Sequence, residues 1–418
     1  MENRYDKYKD SGIAWIGVIP EHWEITLFKR KITINNGKDY KNFSDAEIYP
    51  VIGSGGCFAY CSNYMYDGEA LLLGRKGTID KPLYVKGKFW AVDTMFYAIP
   101  HKDLHCKFSY YLALTFPFNL YSTSTSLPSL TQTDLGNIPV AFPSISEQQA
   151  IADYLDRRCS EIDDLIALQE EMITKLQSYK QSVITEAVTR GLDKNVPLKD
   201  SGIDWIGKIP EHWKVKRLKG IYSFGKGLNI TKADLIDNGI PVISYGQLHS
   251  KLNTGTCIKD CLIRYVPEIF LENNSASLVK KGDVIFADTS EDLEGCGNCI
   301  YIDRDMLLYA GYHTIIAKNI SSYHNKYFSY LFQTDCWRFQ IRRMVNGVKL
   351  FSIPQRLLAS TNIITPSIQE QQAIADYLDQ RCSEIDELIA LKQQKIEKLK
   401  EYKKSLIFEC VTGKRKVS

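Results

Sequence analysis

Residues 11–23 read SGIAWIGVIPEHW and residues 201–213 read SGIDWIGKIPEHW, identical at eleven of thirteen positions at an offset of 190. A chain that repeats itself in this way must build two like scaffolds, so duplication constrains the fold before any other feature. A longer repeat confirms it. PSISEQQAIADYLDRRCSEIDDLIAL begins at Pro143 and PSIQEQQAIADYLDQRCSEIDELIAL at Pro366, now at an offset of 223. The chain is therefore two cassettes of the same order, each an opening motif, a middle and a tail, with 33 more residues in the second middle. The middles, 26–142 and 216–365, share only faint echoes: Gly37 with Gly227, and YPVIG from Tyr49 with IPVIS from Ile240.

The tails read as helices. Ser144 with Glu147, and Ser367 with Glu370, fit a capping box after a proline, in which side chains satisfy the free N–H groups of a first turn. Apolar residues then recur at three and four through Leu155, Ile162, Ile166, Ile173 and Val183, and through Leu378, Ile385, Ile389, Ile396 and Leu406, the spacing of one helix face. No glycine or proline interrupts before Gly191 and Gly413, which allows about 40 residues of helix, or roughly 60 Å. A single stripe on so long a helix needs another helix against it. The other tail is the expected partner, in an antiparallel pair. The alternative is that each helix packs only on its own domain.

The middles read as mixed α/β. Short β-rich runs (EALLLG, PLYV, GDVIFA, CIYI, HTIIA) alternate with turn residues, while FSYYLALTF and YFSYLFQTDCWRFQI look helical. Charge separates middles from tails. Residues 26–142 carry 12 basic and 9 acidic residues, and 216–365 carry 18 and 13, an excess where a reader of polyanions needs it. Eleven cysteines in a chain that shows no leader read as reduced thiols in cores. No apolar run is long enough for a membrane span. The expected compartment is the cytoplasm, with no membrane partner.

Catalytic signatures are missing. The sequence has no Asn-Pro-Pro or Asp-Pro-Pro aromatic methyltransferase motif, no Gly-x-Gly-x-x-Gly opening a helix and no phosphate-binding loop with its lysine. Cys257, Cys261, Cys296 and Cys299 are the one candidate zinc set, against which Cys299 opens a strand-like run and reads better as core. His22 and His212 have no second ligand at metal spacing and read as packed structural residues.

KDSGIAWIGVIPEHW and KDSGIDWIGKIPEHW, followed by PSISEQQAIADYLD and PSIQEQQAIADYLD, resemble the duplicated regions of the specificity subunits of type I restriction-modification systems. GRKGTIDKP with FWAVDTMFYAIP, and FADTSEDLEG with AGYHTIIAKN, are similar to that family's variable domains. The resemblance implies an α/β (α+β) chain with two globular target recognition domains, separated by two long antiparallel helices that form a coiled-coil spacer with pseudo-twofold symmetry. It implies domains at 1–142 and 193–365 and helices at 143–192 and 366–418. Each domain is then expected to read half of a bipartite, non-palindromic site in double-stranded DNA. The helices are expected to measure the unread gap and to dock two methyltransferase subunits, which restriction subunits join. Such a chain is not itself an enzyme; it holds no cofactor, while S-adenosylmethionine, ATP and Mg2+ belong to its partners. The rival class is a coiled-coil scaffold joining two protein-binding domains.

Candidate DNA contacts are Arg75 and Lys76 on a glycine-flanked turn, with Lys81 in the same stretch, and Arg338, Arg342, Arg343 and Lys349 in RFQIRRMVNGVK. The second middle has no matching basic turn, because FADTSED there carries Asp288, Glu291 and Asp292. Ile166, Ile173, Ile389 and Ile396 are the candidate contacts to partner subunits.

Overall fold

A computed structural model describes residues 4–417 apart from 44, 45, 124–126, 273 and 348. Two compact units emerge, residues 1–171 with 392–418, and residues 172–391. The tails form helices Ile145–Arg190 and Ile368–Val411, of 46 and 44 residues, longer than the spacing alone allowed. The central helix gives its first half to unit 1 and its second to unit 2; the C-terminal helix does the reverse.

In unit 1 the two helices run antiparallel. Lys403 meets Asp163, and Lys392 Nζ lies 3.5 Å from Gln169 Oε1, so positions rise on one helix as they fall on the other. Leu155 and Ile162 share a core with Leu406 and Ile407. In unit 2 Val183 and Ile184 share one with Ile374 and Leu378. Part of the apolar stripe is thus consumed by helix pairing and by the domain beneath.

Unit 1 holds a six-stranded sheet in the order Ile32–Asn36, Met95–Pro100, Tyr66–Gly74, Leu83–Ala91, Tyr49–Gly53, Gly56–Cys61. Only Tyr49–Gly53 and Leu83–Ala91 pair in parallel. The long strand Leu83–Ala91 knits the sheet together, and the same path in unit 2 is broken into Cys299–Tyr301 and Leu308–Ala310. Two four-stranded sheets result: Tyr222–Lys226, Thr314–Asn319, Val284–Ala287, Cys299–Tyr301; and Arg264–Val266, Ile240–Ile243, Leu308–Ala310, Leu278–Val279. Each expected strand run overlaps one of these elements. YFSYLFQTDCWRFQI forms two helices, Asn325–Leu331 and Asp335–Met344, because Thr334 caps a new start by accepting from Trp337 N–H.

Matching hydrogen bonds align the middles. Pro50 faces Tyr60 as Pro241 faces Tyr265; Gly74 faces Met95 as Ala287 faces Thr314; Leu130 N–H bonds Arg75 O as Ile353 N–H bonds Asp288 O. The largest shares of the 33 extra residues are therefore fourteen between Pro241 and Tyr265, eight between Tyr265 and Ala287, and six between Ala287 and Ala310. The Gly37 echo is structural too. A Cβ on Gly37 would lie 2.0 Å from Val92 O, and one on Gly227 2.0 Å from Gly311 O.

Candidate nucleic-acid interface

The repeated motifs build the mount on which the variable loops sit. Glu147 accepts from Trp23 Nε1–H at 3.2 Å and pairs with His22 Nε2 at 3.0 Å; Glu370 does the same with Trp213 at 3.2 Å and His212 at 2.8 Å. The EHW of each opening motif is thereby tied to the glutamate that starts each long helix. The capping box closes fully at Ser367 and Glu370, with bonds of 3.1 and 3.2 Å in both directions. At Ser144 only the Glu147 N–H to Ser144 Oγ half is present, at 3.4 Å, and the Glu147 carboxylate also accepts from Tyr5 Oη–H at 2.5 Å.

The next residue of each motif is a buried glutamine. Gln148 Oε1 accepts from His105 N–H at 2.8 Å and Gln371 Oε1 from His324 N–H at 2.9 Å, while their amides donate to Pro143 O and Pro366 O. About two turns further, Asp156 takes Tyr111 Oη–H at 2.8 Å and Asp379 takes Tyr330 Oη–H at 2.6 Å. Burial and these carboxylates push both phenols far above their ordinary range. The two repeats are therefore structural mounts, and difference is left to the loops.

Those loops differ in charge after the strand ends Gly74 and Ala287. In unit 1 the turn presents Arg75, half-buried, with Nη1 3.3 Å from Asp93 O and its guanidinium 5.9 Å from the Phe96 ring. Lys76 and Lys81 are exposed. In unit 2 Asp288 stands where Arg75 stands, and inserted residues border an open polar cleft of about 820 Å³, lined by Tyr245, His249, Lys251, Glu291, Asp335 and Arg342 among others.

The four basic residues expected to form one face in unit 2 part company. Arg338 turns inward: Nε donates to Phe332 O at 2.9 Å, Nη1 to Asn298 Oδ1 at 2.8 Å and Nη2 to Gln333 Oε1 at 2.8 Å. Arg342 donates to Leu293 O at 3.1 Å, Glu294 O at 3.2 Å and Asp335 Oδ1 at 2.9 Å. Their donors serve the acidic loop 288–298, which neither spacing nor charge had disclosed. Arg343 stays exposed over Trp205 and Phe339, at 5.8 and 6.0 Å, and Lys349 is exposed.

The four cysteines do not converge. Cys296 and Cys299 are buried and Cys261 is exposed, and burial pushes the Cys299 thiol up to about 11. Among the described residues no group of His, Cys, Asp and Glu could hold a metal ion.

The interface isoleucines also differ in kind. Ile396 is 1% exposed and faces inward, whereas Ile166, Ile173 and Ile389 are half-buried. Ile166 lines a groove of about 680 Å³ with Tyr110, Leu114, Asp163, Lys403 and Ile407. Leucines also lie on the outer face: Leu165 and Leu168 at 44% and 43% exposed, and their repeats Leu388 and Leu391 at 48% and 60%. Among the described residues no helix is long and apolar enough to cross a membrane.

Comparison with known proteins places these features in a family. A family model described as the type I restriction modification DNA specificity domain matches residues 21–177 and again 210–401. The type I restriction enzyme MjaVIII specificity subunit of Methanocaldococcus jannaschii is 24% identical over 430 residues, covering 96% of this chain and 94% of its own. The EcoDI specificity subunit of Escherichia coli is 26% identical over 181 residues, covering 43% and 40%. A solved structure concerned with complex assembly and conformational transition of the type I R-M system superposes with a TM-score of 0.71 at 14% identity, covering 94% of this chain and 98% of that one. The HsdS subunit of Thermoanaerobacter tengcongensis gives a TM-score of 0.51 at 16% identity over 94% and 98%.

Proposed function

The chain belongs to the type I restriction-modification specificity subunits, carrying the family's DNA specificity domain twice, and on that premise we propose that each unit reads one half of a bipartite, non-palindromic site in double-stranded DNA. One observation carries this reading: the same mount occurs twice, and equivalent turns on it bear opposite charge, Arg75 in one and Asp288 in the other. Two like frames with unlike tips suit a target made of two unlike half-sites.

Lys76, Lys81, Arg343 and Lys349 are the exposed cations offered to phosphates, and Arg75 is offered to a guanine edge. Arg338 and Arg342 support the loop that reads. The paired helices set the unread gap, and the outer leucines Leu165, Leu168, Leu388 and Leu391 with the half-buried Ile166, Ile173 and Ile389 dock two methyltransferase subunits, which restriction subunits join. The chain itself acts in the cytoplasm, carries out no chemistry and needs no cofactor; S-adenosylmethionine, ATP and Mg2+ serve the partner subunits.

Single-molecule methylation mapping of DNA from cells expressing the chain with its methyltransferase subunits tests the proposal. A methylated motif of two different halves around a fixed gap is expected. DNA retention by the purified complex that is indifferent to salt would instead favour a protein-joining scaffold, because neutralised phosphates release counterions and make binding fall steeply with salt.

A further inference from the structure

Unit 2 presents an acid at the position where unit 1 presents a base. Arg75 N–H bonds Thr94 O at 2.8 Å and Asp288 N–H bonds His313 O at 3.2 Å, while Arg75 O and Asp288 O accept from Leu130 N–H and Ile353 N–H at 3.0 and 2.7 Å. The two backbones are held alike, so the difference lies in the side chains alone.

The surroundings of Asp288 fix it in place. His313 is the only non-glycine residue with positive φ among those described, at 52°, a conformation that costs of order 1 kcal/mol and persists only where neighbours over-determine it. Its Nδ1 lies 3.2 Å from Asp288 Oδ1. Behind the turn runs a relay: Arg338 Nη1–H donates to Asn298 Oδ1 at 2.8 Å, Asn298 Nδ2–H to His249 Nδ1 at 3.2 Å, and His249 Nε2–H to Thr289 O at 3.0 Å. Such support is what a positioned recognition group requires.

Nevertheless the pair stays open to solvent, the side chain of Asp288 36% exposed and that of His313 60%. Nδ1–H donates to Asp288, and the carboxylate, which has no proton to give, makes this tip an acceptor. A phosphate is repelled by it. The groups on DNA that fit are the exocyclic amino groups in the major groove, N4 of cytosine and N6 of adenine.

Resting on the DNA-reading role above, we propose that Asp288 and His313 are the specificity-determining pair of unit 2, accepting from an exocyclic amino group in its half-site, whereas Arg75 donates to guanine from the equivalent position of unit 1. The test maps methylation by the assembled complex carrying Asp288→Ala, Asp288→Asn, His313→Ala or Arg75→Ala, and measures binding to oligonucleotides changed one base pair at a time. Asp288→Ala and His313→Ala should each reduce discrimination at one cytosine or adenine of a single half-site by about tenfold or more, leaving the other half-site intact. Asp288→Asn, isosteric and able to accept from N6 and donate to N7 of adenine, should move the preference at that position toward adenine. Arg75→Ala should relax a guanine in the other half-site. Should Asp288→Ala not assemble, the Asn variant decides. A motif unchanged in active Asp288→Ala and Asp288→Asn complexes overturns the pair's role while leaving the bipartite reading standing. A wild-type complex without a bipartite motif overturns the broader reading instead.

Discussion

Lys403 closes on Asp163 with Nζ 2.7 and 2.6 Å from the two carboxylate oxygens. The same bond recurs with the helices exchanged, Lys180 on Asp386 at 2.7 and 2.7 Å. Because Asp163 and Lys180 repeat as Asp386 and Lys403 at the offset of 223, one pair of residues per cassette supplies both clasps. The Asp163 side chain is 58% exposed, so each clasp sets register more than it stabilises. A double-mutant cycle on Lys403→Ala and Asp163→Ala should give a coupling below about 1 kcal/mol, and a larger value in urea unfolding would show the pair to be better desolvated than its exposure indicates.

Gly413 ends the C-terminal helix at φ 72°, and a Cβ there would lie 2.3 Å from the Pro20 ring; Gly12, also at positive φ, has open space around it. Gly12→Ala should cost about 1 kcal/mol from the left-handed backbone alone. Gly413→Ala should cost at least about twice that, since ring and backbone must also move. Equal thermal shifts for the two variants would mean that the helix end relaxes away from the opening motif.

Glu370 gives a pH signature. Burial raises its pKa, yet hydrogen bonds from His212, Ser367 and Trp213 outweigh that and hold the carboxyl below its usual range. A depressed carboxyl stabilises the fold above its ordinary value of about 4.3 and loses that contribution as pH falls through the folded-state value. Urea midpoints of the wild type and Glu370→Gln should therefore differ at pH 7 and converge below about pH 4. A difference that persists into acid would assign the effect to packing.

Arg338 and Lys76 should separate support from contact. Arg338→Ala leaves Asn298 and Gln333 without their donor and should destabilise unit 2 by about 2–4 kcal/mol, with the salt dependence of DNA binding unaltered. Lys76→Ala should leave stability alone and flatten the log–log salt slope by about 1. A flattened slope in the Arg338 variant would return that residue to the phosphates.

The paired helices carry the gap prediction. Four residues added after Gln177 lengthen a helix by about 6 Å and turn it by about 400 degrees, so the apolar face nearly returns. Lys180 is clasped to Asp386, so a matching insertion after Ile389 keeps the partner in step. Methylation mapping should then show a gap longer by one or two base pairs between unchanged halves. Two residues turn the face by about 200 degrees and should abolish activity. An unchanged gap in an active four-residue variant would assign spacing to some other part of the complex.

The scaffold was legible because it is written in local rules and written twice. Ser367 with Glu370, the helix stops at Gly191 and Gly413, and the strand run EALLLG each follow from neighbours within a few residues. The Gly37 echo survived between otherwise dissimilar middles because the backbone leaves no room for a side chain. The site was less legible. Arg338 and Arg342 sit four apart and read as a free basic face, but their acceptors, Asn298, Leu293 and Glu294, lie some forty to fifty residues away in sequence. Spacing identifies a face without saying what covers it. Likewise Ile396 and Ile389 belong to one stripe, yet one is enclosed and the other half-open. The sequence sets FADTSED against the basic turn of the first middle; the paired backbone bonds place Asp288 itself at the position of Arg75.

The last turn of the C-terminal helix rests on the first motif as the last turn of the central helix rests on the second. Leu406, Cys410 and Val411 share a core with Ile19 and Trp23, and Ile184 and Val188 share one with Ile209 and Trp213. In unit 2 the chain runs on from helix to motif through residues 191–200; in unit 1 the helix end is tied to its motif by Lys414 Nζ, which donates to Ile16 O at 2.7 Å. A chain opened between Asp193 and Lys194, with a short linker carrying the C-terminal helix into the first motif, would keep both helix-to-motif seats, and the cassette translated first would become the one translated last.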